Sequence, residues 1–303
     1  MNYLGQPKQI RLAKKILLTT ISAWLLALAF GCLPAEAQSF AYVANESSND
    51  VSVINTATNT VVATVPVGLT PFGVAITPNG AFAYVMNFNS DDVSVINTAT
   101  NTVVATVTGL NEPAGVAITP NAAFAYVTNF RLAVSNVSVI NTSSNTVVAT
   151  VPVGLNPREV AITPNGAFAY VTILSSSNVA VINTATNTVV ATVPVGTGEP
   201  FGVAITPNGA FAYVTNSSSD NVSVIDTASN TVVATVPVGL GPFGVAVANI
   251  PSKCREDDGE DVEGEGHEKG DDGHEKRDDG HQKRKRPCKH TGEMDIDKEH
   301  RDH

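Results

Sequence analysis

The sequence predicts an all-β fold, a five-bladed β-propeller of four-stranded antiparallel blades, on three observations. One unit recurs: Tyr42, Tyr84, Tyr126, Tyr170 and Tyr213 each follow an Ala, at spacings of 42, 42, 44 and 43 residues. Each unit carries four short apolar runs rich in Val, Ile, Thr and Tyr, residues that suit a pleated surface. Turn residues separate the runs, and nothing in the units has helical period. Four strands every ~42 residues is the pattern of a propeller blade.

The runs are clearest in the last full copy, as "GVAIT", "FAYVTN", "NVSVID" and "TVVATVPVG". "TPNG" joins the first two and fits a β-turn, because Pro pre-sets φ at its second position and Asn and Gly tolerate the turn conformations after it. With "GVAIT" as the inner strand, the chain begins with the last three strands of a blade near residues 40–66. It ends on a lone inner strand, Gly244–Ala248. The expectation is that this strand pairs with Phe40–Asn45, completing a blade and hiding edges that would otherwise invite other chains. The alternative is an open or multi-chain ring, because repeats gain stability from neighbour contacts and need not close.

"AYVTN", "VSVIDTASNTVVATVPVG" and "PFGVAITPNG" resemble the YVTN-type β-propeller repeat, and the resemblance covers residues 40–249. It implies an exported or cell-surface protein. Two departures stand out. The family often builds seven blades, whereas this chain has five units. After "VI" the family favours Asp, and here only Asp226 matches, against Asn55, Asn97, Asn141 and Asn183.

Antiparallel neighbours alternate in direction, so the four connections of a blade sort onto two faces. "TPNG" and the turn after "VIN" share one face and barely vary. The loops after "AYVTN" and after "PVG" share the other and differ from copy to copy. Ten of the eleven charged residues between Phe40 and Pro251 fall on the variable face: Glu46, Asp50, Asp91, Asp92, Glu112, Arg131, Arg158, Glu159, Glu199 and Asp220. Only Asp226 lies on the other. Loops on a rigid scaffold usually carry function, which makes this a recognition face. The competing explanation is that the other turns are too tight to vary and charges settle where loops are wet.

The sharpest deviation is "NPREV", where Arg158 and Glu159 replace the Phe-Gly of "PFGV". The candidate ligand-binding set is Asp91, Asp92, Glu112, Arg131, Arg158, Glu159 and Glu199. Convergence of Glu112, Arg158, Glu159 and Glu199 at the channel mouth would favour a ligand site over a surface scaffold. Asp91-Asp92, Glu112 and Glu199 are the carboxylates available to Ca²⁺, which wants six to eight oxygens. Between Phe40 and Pro251 there is no His, Lys or Cys, so no hydroxyl nucleophile has an activating base nearby in sequence, and no catalytic residue is assigned. The leading function is an exported binding or structural scaffold. The alternative is an exported propeller enzyme, lactonase- or dehydrogenase-like, using carboxylates on that face.

The ends differ from the repeats. Residues 1–37 read as a signal peptide: a basic start, an apolar run from Ile16 to Phe30, and Ala35-Glu36-Ala37 before cleavage at Gln38. Rival readings are a lipoprotein cysteine at Cys32 and an uncleaved anchor. Residues 38–251 form the propeller. All three readings export the chain to the periplasm, the cell surface or the medium; cleavage leaves no transmembrane span. Residues 252–303 hold 12 basic and 18 acidic side chains and almost nothing to bury, the composition of a disordered tail. His267, His274 and His281 recur seven apart, a tract that could bind a transition metal weakly, the alternative being a solubilising extension. Cys254 and Cys288 form an even pair that suggests a disulfide in an oxidising compartment. "KRKRPCKH" could meet an anionic envelope polymer. The net charge of −10 disfavours nucleic acid, leaving a cell-envelope polymer or protein as the expected partner.

Overall fold

The computed structural model describes residues 38–131 and 135–249. Residues 1–37, read above as a signal peptide, and residues 252–303, with His267, His274, His281, Cys254 and Cys288, lie outside the described residues. No described helix is long and apolar enough to cross a membrane.

Nineteen strands form five antiparallel sheets, one per repeat. The second blade is β4 (Pro71–Ile76), β5 (Phe82–Asn87), β6 (Asp92–Asn97) and β7 (Thr102–Val107). The third is β8 (Pro113–Ile118), β9 (Phe124–Asn129), β10 (Asn136–Asn141) and β11 (Thr146–Pro152). The fourth is β12 (Pro157–Ile162), β13 (Phe168–Ile173), β14 (Asn178–Asn183) and β15 (Thr188–Pro194). The fifth is β16 (Pro200–Ile205), β17 (Phe211–Asn216), β18 (Asn221–Asp226) and β19 (Thr231–Pro237). In each of these four the strands pair in chain order. The inner strands β4, β8, β12 and β16 pack side by side, which confirms "GVAIT" as the innermost strand.

The first blade corrects the expected closure. It has three strands, β1 (Phe40–Asn45), β2 (Asp50–Asn55) and β3 (Thr60–Pro66), and β1 pairs only with β2. Residues 244–248 form no strand. They sit instead against blade five: Thr215 donates its hydroxyl to the Phe243 carbonyl at 2.7 Å, as Thr172 does to Phe201 and Thr128 to Arg158. The segment therefore occupies an inner-strand place beside blade five without a second strand to pair with. The physical reason is the span of the contact. Within a blade the first two strands are joined by the short turn 77–81 or its copies. Joining residues 244–248 to β1 requires the curvature summed over the whole ring, at a larger loop-closure cost.

The core lies between blades. Tyr84, Met86, Val93 and Val95 of blade two pack on Val116, Ala125, Val127 and Ile140 of blade three, and corresponding clusters join blades one to two, three to four and four to five. Each wholly buried Val contributes roughly 1.5–3 kcal/mol. The free ends show the missing fifth interface: Val43, Val236 and Val238 are exposed, whereas Val85, Val127 and Val171 are buried.

The recurring residues hold neighbouring blades together. The Tyr84 hydroxyl donates to Asn145 Oδ1 in the next blade at 2.7 Å, Tyr126 to Asn187 at 2.7 Å, and Tyr170 to Asn230 at 2.7 Å. Tyr42 reaches Asn101 at 3.3 Å. Burial pushes the hydroxyls of Tyr84, Tyr126 and Tyr170 up to about 12, so they stay protonated donors. The receiving asparagines, with Asn59, all have φ of 53°, a left-handed conformation that Asn tolerates better than most residues. Four residues earlier, Asn55 Oδ1 accepts the N–H groups of Ala57 and Thr58, and Asp226 does the same for Ala228 and Ser229. Asn and Asp are thus interchangeable acceptors here, which explains the departure from the repeat pattern. The Ser229 N–H and hydroxyl hold the Asp226 carboxyl below its usual value.

The Asn of "AYVTN" braces its hairpin. Asn87 donates to Asp92 and Ser94, Asn129 to Asn136 and Ser138, and Asn216 to Asn221 and Ser223. Blade four changes both ends of this contact, with Ile173 and Ala180 in one apolar cluster. A polar bond has been exchanged for burial, leaving neither partner stranded.

Candidate functional site at the variable face

The fold carries the ten predicted charges to one end of the blades. Glu46 and Asp50 lie at the β1–β2 connection, Asp91 and Asp92 at β5–β6, and Asp220 at β17–β18. Glu112 and Glu199 precede the inner strands β8 and β16, Arg131 follows β9, and Arg158 and Glu159 open β12. Asp226 ends β18 on the opposite face.

Three of the candidate residues meet in one cluster. Arg131 Nε lies 3.4 Å from Glu112 Oε1, and its Nη1 lies 3.8 Å from Asp91 Oδ2. Asp91 also accepts the Glu112 backbone N–H at 2.7 Å. Asp92 is separate, accepting Asn87 Nδ2 across its own hairpin. Glu199 uses its carbonyl to accept the Ser217 N–H and hydroxyl. Among the described residues, no ion pair joins Arg158 to Glu112, Glu159 or Glu199, and no three His, Cys, Asp or Glu side chains are arranged to hold a metal ion.

Arg158 stands in an aromatic mouth. Its guanidinium carbon lies 4.9 Å from the centroid of Phe72, 5.1 Å from Phe130 and 4.4 Å from Phe201. Phe72 and Phe201 open β4 and β16 at the repeat position that Arg158 fills in β12, so three inner strands bring the same position together. Phe130 belongs to the loop after β9 and packs on Phe88, which packs on Phe72. Among the described residues the guanidinium makes no hydrogen bond. Burial lowers the Arg158 pKa, against the opposing influence of Glu159.

Glu159 occupies a glycine position. At Gly73 and Gly115 an added Cβ would stand 2.6 Å from the carbonyl oxygen of the next inner strand, which is why the other copies use Gly. The Glu159 N–H donates to Thr172 Oγ1 at 3.0 Å. Burial pushes its carboxyl up to about 7, while the Val160 N–H and Arg158 pull the other way.

Residues 12–197, more than half of the chain, match the model of the YNCE-like β-propeller family. The chain belongs to that family. This YNCE-like propeller is also similar to a solved protein of unknown function from Desulfotomaculum acetoxidans, at 23% identity and a TM-score of 0.64, covering 69% of each chain. It is similar to the Kuenenia stuttgartiensis hydrazine synthase structure at 22% identity and a TM-score of 0.52, covering 68% of this chain and 85% of that one. At these identities the likeness shows the fold alone. No curated protein matches the YNCE-like propeller by sequence.

The repeat comparison singled out Arg158 and Glu159 but not Phe72, Phe130 and Phe201. The signal was there in part. The Phe of "PFGV" recurs at 72, 201 and 243, and one such residue per inner strand must face its counterparts around the ring.

Proposed function

We propose that this propeller is an exported binding scaffold that meets a cell-envelope polymer or protein through its variable face. The observation that carries the reading is the division of labour between faces. The near-constant turns after "VIN" receive inter-blade bonds such as Tyr126–Asn187, whereas copy-to-copy differences and ten of eleven charges gather at the other end. The YVTN-type resemblance supports export and surface display. Full-length protein is incubated with envelope material, beside a variant carrying Glu112→Gln, Arg131→Gln and Glu199→Gln. Exposed ion pairs add little stability, so the variant should fold while its retention falls. Equal retention of the two proteins, or none of the wild type, would overturn the reading. A second reading, an exported enzyme, is favoured by Glu159 alone, whose pKa of about 7 is that of a general base at neutral pH.

A further inference from the structure

We propose that Arg158, with Phe72, Phe130 and Phe201, is a receptor for a carboxylate carried on an apolar body. The inference rests on the variable face being the recognition face and sharpens that reading to one ligand chemistry. The face has two arginines in opposite states. Arg131 is neutralised by Glu112 and Asp91. Arg158 has no carboxylate within ion-pair distance among the described residues and leaves its donors unused. A guanidinium presents five N–H groups in a rigid planar fork that matches a carboxylate in a bidentate pair.

Three rings within 5.1 Å of the guanidinium carbon hold the cation by cation–π attraction and leave it half-buried. A charge-assisted hydrogen bond gains strength where water is displaced. The same rings offer apolar surface to whatever the carboxylate is attached to. Glu159 does not supply the missing counter-charge in full, since burial keeps part of its population protonated at neutral pH. The site is specific to one copy of the repeat, because the equivalent residues are Phe72, Ala114, Phe201 and Phe243.

The test is a titration of the full-length chain with benzoate, acetate and inorganic phosphate, read by ligand-observed NMR. Benzoate should bind, and more tightly than acetate or phosphate. Arg158→Phe restores the repeat residue and should keep the fold while weakening benzoate at least about tenfold. Arg158→Lys keeps the charge without the fork and should weaken it by about threefold or more. Glu46→Gln, on the same face but outside the candidate set, should leave it unchanged. Absence of benzoate binding, or binding that survives Arg158→Phe, would overturn the proposal. Phosphate binding as tightly as benzoate would overturn the apolar-body assignment. These outcomes are independent of envelope retention, which the Glu112, Arg131 and Glu199 variant reads separately.

Discussion

The two faces of this propeller are made by the same strands and do opposite work. On the repeated face a turn residue is a structural partner. Asn187 receives Tyr126 from the preceding blade, and Thr184 donates to the Gly166 carbonyl of the neighbouring turn. On the variable face the bonds between blades join side chains that differ from copy to copy, as in the ion pairs of Arg131 with Asp91 and Glu112. A turn bound to two blades cannot change without disturbing both. A loop whose contact with the next blade is an exposed ion pair can, because such pairs add little stability. The near-constancy of "NTATN" therefore follows from bonding between blades, and that of "TPNG" from a tight turn closed within its own blade, where the Thr77 hydroxyl bonds Asn79 and Phe82.

The largest expected effect breaks the repeated face. Tyr126 is fully buried, and Tyr126→Ala removes its ring from the core between blades three and four. Chemical denaturation should show a loss of about 3–5 kcal/mol. Glu46→Ala on the variable face should change stability by less than about 0.5 kcal/mol. Similar losses at both sites would end the distinction between the faces.

The next effect is a pH dependence peculiar to blade four. Glu159 has a folded pKa of about 7, above the ordinary glutamate value of 4.5. Between those values the unfolded chain gives up the proton that the folded chain keeps. Stability from this group is therefore full below about pH 4.5, falls as pH rises, and levels off above about pH 7, the reverse of a salt-bridged carboxylate. The difference is on the order of 2–3 kcal/mol. Melting curves at pH 5 and pH 8 should show it in the wild type and not in Glu159→Gln. A wild type and variant with parallel pH profiles would remove Glu159 from the account.

The smallest effect sharpens the comparison on the repeated face. Ala122 stands where the other turns have Gly80, Gly166 and Gly209, and it holds φ of 58°. A Cβ in the left-handed region costs roughly 1–2 kcal/mol, partly offset by the greater freedom of Gly in the unfolded chain. Ala122→Gly should raise stability by about 0.5–1 kcal/mol. Unchanged or lower stability would mean that the turn carries no strain.

The blades were legible in the sequence because each is local. A unit of about 42 residues contains its own strands, its own turns and the residue types that turns require. Strand order followed from the run order, and the sorting of Asp91, Glu112 and Arg158 onto one face followed from antiparallel alternation. Closure was not legible, since pairing of residues 244–248 with β1 depends on curvature accumulated between blades and not on any motif. The aromatic mouth was missed for a related reason. Phe72, Phe130 and Phe201 come from three repeats and meet only around the axis. The ion pairs of Arg131 were hidden similarly, because Asp91 and Glu112 are far from it in sequence.

The tyrosine bonds all point one way. Each runs from one blade to the turn of the next, from Tyr42 to Asn101 through Tyr170 to Asn230. A duplicated unit would arrive with one donor for its successor and one acceptor for its predecessor, so a copying event at any junction would leave the joints on both sides intact. Such a gene can lengthen or shorten by whole units without meeting a forbidden intermediate. Near-identical neighbouring copies are what recent lengthening by this route would leave behind.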